Sequence, residues 1–127
     1  MAEPMTDPTP PPRLRLRLRF AGGAYLGPGK ADLLAAIADT GSISAAARSM
    51  GMSYKRAWSL VEEMNAMFTA PVVDSARGGA GGGGAVLSDT GRAVLAHYTA
   101  VITAAQDHAG ADLSALAALL RDMSDGK

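Results

Sequence analysis

The chain has 127 residues, enough for one domain with a real core but not for two. Apolar residues make up 48% and aromatics only 5%, so the interior must be Ala, Leu, Val, Ile and Met, which favours packed helices over a large sheet. Twelve basic residues balance twelve acidic ones and cysteine is absent, which excludes disulfide frameworks and thiolate metal sites.

Residues 1–12 hold Pro4, Pro8, Pro10, Pro11 and Pro12 and little apolar matter, so a disordered tail is expected there. A signal peptide would need an apolar stretch at this end, and no segment approaches the roughly 18 uninterrupted apolar residues of a membrane span. The expected setting is the cytoplasm. Arg13 to Phe20 then alternates strictly, a period of two that predicts a strand with Leu14, Leu16, Leu18 and Phe20 inward and four arginines outward. The arginine row reads first as a charged guard on a strand edge.

From Lys30 the period becomes helical through Leu33, Leu34, Ile37 and Ala38, with Gly41 as a stop. A short helix is expected from Ser44, as its cap, to about Met50, ended by a left-handed Gly51. Ser53 caps a third, from Tyr54 to about Phe68. Val72–Ser75 and Ala85–Leu87 predict a hairpin around Gly78–Gly84, six glycines in seven positions. A long helix follows from Asp89 to about Gln106, broken by Gly110, and a last one spans about Asp112 to Met123. The expected organisation is a tail over 1–12, a unit of strand, three helices and hairpin over 13–87 and helices over 88–127.

The second and third helices have the spacing of a helix-turn-helix, with Ala46 and Ala47 at the crossing and Gly51 in the turn. On the third, Ala57, Leu60, Val61, Met64 and Phe68 share one face, opposite Lys55, Ser59, Glu62 and Ala66. Donors occupy its first turn and a half and acids its third turn, the polarity needed by a helix that enters a major groove by its N-terminal end. Lys55 or Arg56 can pair with guanine O6 and N7, and Ser59 can address a base edge. Ser42, Ser44, Ser53 and Tyr54 carry hydroxyls suited to phosphates. Trp58 is expected at the flank of the core. The glycine tract suits a wing whose backbone, at Gly79, Gly81 and Gly82, approaches DNA closely, with Arg77 at its base. A phosphate-cradling nucleotide loop would instead open a helix after its glycines, whereas Ala85, Val86 and Leu87 read as strand.

Thr40–Ala47, Gly51-Met-Ser-Tyr-Lys-Arg-Ala-Trp58, Glu63-Met-Asn65 and the glycine tract before Ala85-Val-Leu resemble the DNA-binding domain of molybdate-responsive (ModE-type) transcription regulators. That domain is similar in turn to the winged helix of LysR-type regulators. The resemblance runs from about Leu14 to Tyr98. It implies a homodimer reading a palindromic duplex site, held by the helix after the wing, with the first strand lying beside Val72–Asp74. Molybdate-sensing members carry strand-rich oxyanion-binding modules, whereas everything after the long helix here reads helical and Ala/Leu-rich, so direct molybdate binding is not expected.

His97 and His108 are too far apart to chelate one ion, and no Ser/His/Asp spacing suggests a nucleophile. Neither a cofactor, a metal nor an enzymatic activity is expected. The long helix has an apolar stripe, Val94, Leu95, Tyr98, Val101, Ile102 and Ala105, that reads as a dimer seam. The reading is therefore a mainly α fold with a small β-sheet, a winged helix-turn-helix of three helices plus a hairpin wing, with a C-terminal dimerisation helix. Its expected function is double-stranded DNA binding by a homodimeric transcription regulator. The alternative is a protein–protein adaptor on the same scaffold without DNA.

Overall fold

The computed structural model describes residues 12–76 and 84–121. Among these residues five α-helices, α1 (Pro28–Thr40), α2 (Ile43–Ser49), α3 (Tyr54–Met67), α4 (Asp89–His108) and α5 (Gly110–Ala118), accompany two separate two-stranded antiparallel sheets. One sheet pairs β1 (Leu18–Arg19) with β2 (Tyr25–Leu26); the other pairs β3 (Val73–Ala76) with β4 (Gly84–Leu87), in the register Val73 opposite Leu87. This is the mainly α, winged helix-turn-helix architecture expected from the periodicities, with further helices after the hairpin.

The core sits where α1, α2 and α3 meet and is roofed by the hairpin. Leu33, Leu34 and Ile37 of α1, Ala46 of α2, Ala57 and Met64 of α3 and Val72 before β3 are fully buried. Helix ends follow local chemistry. Pro28 opens α1 at a position where its missing N–H costs no helical bond, which is why α1 starts ahead of Lys30. Gly41 (φ +79°) closes it, its N–H donating to the Ile37 carbonyl at 2.8 Å. The cap of α2 is Ser42, not Ser44: Ser42 is extended and its Oγ accepts from the Ala45 N–H at 2.8 Å, so Ile43 is already helical. Gly51 adopts φ +68° with open space where a β-carbon would stand, so the turn needs glycine for conformation and not for space.

The expected strand from Arg13 to Phe20 is ladder-bonded only at Leu18 and Arg19, opposite Leu26 and Tyr25. Its expected place beside Val72–Asp74 is not found, because β3 pairs with β4 and β1 with β2. The segment before β1 runs extended against α4, whose side chains take the part of a neighbouring strand. The Gln106 amide donates to the Pro12 carbonyl at 2.8 Å and accepts from the Leu14 N–H at 3.0 Å, and the Tyr98 hydroxyl donates to the Leu16 carbonyl at 2.6 Å. The alternation survives: Leu14, Leu16 and Leu18 are half-buried, the four arginines are exposed, and Phe20 turns outward at 44% exposure.

Helix α4 continues to His108, beyond Gln106, and the break falls at Ala109, with Gly110 opening α5. Helix α5 ends at Ala118 and not near Met123, which lies outside the described residues. Among the described residues no helix is long and apolar enough to cross a membrane.

Candidate nucleic-acid interface

Helix α3 is held from three sides, and what holds it fixes which residues it displays. Its N-terminus is capped by Ser53, whose Oγ accepts from the Arg56 N–H at 3.0 Å. Ala57, Leu60, Val61 and Met64 bury its inner face, as their spacing predicts. Ser53, Tyr54, Lys55, Arg56 and Ser59 are all exposed along its first turn and a half, with no acid in the first turn. The cap leaves the Ser53 hydroxyl proton free to donate outward, while the positive end of the helix dipole points the same way. Ser42 and Ser44 sit at the start of α2. Ser42 is committed as a cap through its oxygen, and exposed Ser44 accepts from the Arg48 guanidinium at 3.4 Å.

The two acids of the third turn are not equivalent. Glu62 is exposed. Glu63 pairs at 3.1 Å with Lys30 at the start of α1, whose side chain is only 4% exposed. Burying an ammonium is costly unless it is fully matched. Here Nζ also donates to the Tyr25 carbonyl at 3.2 Å and lies 3.7 Å from the centre of the Tyr25 ring, with Arg17 over the same ring at 4.4 Å. Glu63 is therefore partnered by a buried ammonium although its own side chain is half exposed, unlike Glu62. Nothing in the spacing of Lys30 and Glu63 betrays the pair, since it depends on how α1 crosses α3.

Asn65 and Gly91 fix the base of the hairpin. The Asn65 Oδ1 accepts from the Val72 N–H at 2.8 Å and the Val73 N–H at 3.1 Å, tying the chain's exit from α3 to the first strand of the wing. Gly91, in the first turn of α4, packs so closely that an added β-carbon would overlap the Val72 carbonyl oxygen and lie 2.9 Å from its carbon. The Ser88 hydroxyl donates to the Pro71 carbonyl at 2.6 Å, and the Ala85 N–H donates to the Gly41 carbonyl at 2.9 Å. The hairpin base is thus bonded to α3, α4 and the α1–α2 turn. A glycine inside a predicted helix costs about 1 kcal/mol relative to alanine, and that cost was the available signal for Gly91. The expected contacts at Arg77, Gly79, Gly81 and Gly82 lie outside the described residues.

Trp58 does not flank the core. It is 45% exposed, because Ala57 and Val61 take the inward positions on either side of it. Of the residues expected to form a seam on α4, Tyr98 is buried in its own chain; Val94, Leu95 and Ile102 pack partly against the core, Ala105 is half-buried, and Val101 is 42% exposed. An open apolar groove of about 370 Å³ runs beside them, lined by Leu18, Phe20 and Phe68 and by Val94, Tyr98 and Val101 of α4. Burial raises the Tyr98 phenol above its ordinary pKa, and the Asp32 carboxylate adds to the rise while Arg15 opposes it. Among the described residues no three His, Asp or Glu side chains gather as metal ligands.

Residues 30–92 match the bacterial regulatory helix-turn-helix protein family of LysR type. The chain is 54% identical over 79 residues to the molybdenum-pterin-binding protein MopB of Rhodobacter capsulatus, covering 62% of this chain and 29% of that protein. It is 42% identical over 83 residues to MopA of the same organism (65% and 31% covered). It is 41% identical over 83 residues to the DNA-binding transcriptional dual regulator ModE of Escherichia coli K12 (65% and 32% covered). The chain spans under a third of the length of each of these relatives.

Proposed function

We infer, from a chain whose residues 30–92 belong to the bacterial LysR-type regulatory helix-turn-helix family, that this protein is a transcription regulator binding double-stranded DNA in a sequence-specific way. The observation that carries the inference is the exposed, acid-free N-terminal half of α3 displaying Lys55, Arg56 and Ser59 beside a firmly anchored hairpin. Lys55 and Arg56 address guanine edges, and Ser59 a neighbouring base. Ser42, Ser44, Ser53 and Tyr54 hold phosphates and so set register without reading sequence. Arg77 and the glycines at 79, 81 and 82 extend the contact as a wing.

The protein acts as a homodimer on a palindromic site, its two copies of α3 entering successive major grooves about one helical turn apart. The exposed part of the α4 seam around Val101, with the groove beside it, supplies the surface for a second copy. A link to molybdenum is proposed because the relatives are named for molybdenum-pterin binding and for ModE.

The test is the double change Lys55→Ala and Arg56→Ala, assayed by anisotropy on a duplex that the protein enriches from a random-sequence pool. Affinity is expected to fall about a hundredfold or more, with the far-ultraviolet dichroism unchanged. Unaltered binding would remove α3 as the reading element.

A further inference from the structure

Tyr54 and Trp58 lie one helical turn apart on the same flank of α3 and are 56% and 45% exposed. They are large apolar surfaces in a chain with 5% aromatic residues and a single tryptophan. Clustered apolar side chains on a solvent-facing surface mark a contact site, and tryptophan and tyrosine are among the residues that dominate such contacts. At 100° per residue Trp58 sits about 60° around the helix from Lys55, on the same acid-free half. Arg56 lies about 160° around the helix from it and Ser59 about 100°, while the exposed acid Glu62 stands one turn further on. An apolar ring beside Lys55, on the N-terminal turns of the helix, fits a polyanion that also presents apolar spots. The major groove of a DNA duplex does so through the C5-methyl of each thymine.

Resting on the DNA-binding reading above, we propose that Trp58 is a specificity-determining residue. Its indole packs on a thymine methyl beside the bases that Lys55 and Ser59 address, and Tyr54 lies against the adjoining sugar-phosphate chain. A protein partner would also cover an aromatic flank, but Lys55 beside it, in no ion pair among the described residues, and its place at the positive end of the helix favour the duplex.

Because the chain has one tryptophan, its emission reports Trp58 alone. With the duplex enriched from a random pool, saturating DNA should protect Trp58 from acrylamide quenching. Thymines are then replaced singly by deoxyuridine, which removes only the methyl group. One position in each half-site should lose about fourfold in affinity, the worth of one buried carbon. Trp58→Ala should bind about tenfold more weakly with an unchanged melting curve, and in that variant the uracil penalty should vanish. Unchanged quenching in the saturated complex, or a uracil penalty equally large in Trp58→Ala, would overturn the proposal. If no duplex is enriched at all, the regulator reading itself fails and takes this inference with it.

Discussion

The helix-turn-helix and the helices that follow it are closed to very different degrees. In the first region Leu33, Leu34, Ile37, Met64 and Val72 are fully buried, serine caps start α2 and α3, and left-handed glycines follow α1 and α2. In the second, the 20-residue α4 buries only Gly91 and Tyr98, and α5 buries none of its residues. Leu116, Leu119 and Leu120 are 63%, 82% and 75% exposed. The three-helix unit closes its own core within one chain. The later helices gain their packing from α4 lying against α1, from its first turn on the hairpin and from the N-terminal extended segment laid along Tyr98 and Gln106.

Substitutions can break this contrast, beginning with the region that should be most sensitive. Leu34→Ala should cost about 2–5 kcal/mol in urea unfolding, since a fully buried leucine leaves a cavity that its neighbours fill only in part. A loss below 1 kcal/mol would mean that the three-helix core is looser than its burial indicates. Gly91→Ala should cost about 2–3 kcal/mol, because the new methyl must push α4 off the Val72 carbonyl. Its unfolding midpoint, compared with that of an alanine change at exposed Thr99, separates this clash from ordinary helix propensity.

Tyr98→Phe removes one hydrogen bond to the Leu16 carbonyl and should cost about 1 kcal/mol at neutral pH. Tyr98 also gives α4 a pH signature. Its folded-state pKa is raised, so the neutral phenol is the form the fold favours. That contribution is fully present below about pH 10, the unfolded value, and is lost as pH rises through the higher folded value. Melting curves from pH 8 to 11 should show the loss in the wild type and less of it in Tyr98→Phe. The smallest effect on folding is expected at Val101→Asp, within about 0.5 kcal/mol because the side chain is exposed. The same change should turn a sedimenting dimer into a monomer, and a surviving dimer would move the interface elsewhere.

How much of this was legible in the sequence depended on how local each feature is. The helical period of Ala57, Leu60, Val61 and Met64, the cap at Ser53 and the turn at Gly51 depend on neighbours within one or two turns, and each stands where its spacing puts it. The alternation from Arg13 to Phe20 gave the correct faces as far as Arg19 and not at Phe20, and the resemblance supplied the wrong partner. Period two states that a segment is extended and says nothing about what bonds its edge, which here is Tyr98 and Gln106 of α4. Trp58 was misplaced because hydrophobicity outweighed its angular position, which already put it closer to Lys55 than to Met64 on the helix wheel. Lys30 with Glu63, and Asn65 with the start of β3, are tertiary matches that no window of sequence contains.

The central claim is that α3 enters the major groove and that two copies do so together. The absence of cysteine makes one introduced thiol unique, so an iron-EDTA cleaver can be attached at Ala66→Cys, exposed on the face of Lys55 and Ser59, or at Ser114→Cys on α5. On the enriched duplex, the Ala66 probe should cut at two symmetric places centred about one helical turn, or roughly 10 base pairs, apart, while the Ser114 probe should cut weakly or not at all. Strong cutting from α5 with none from α3 would contradict this account.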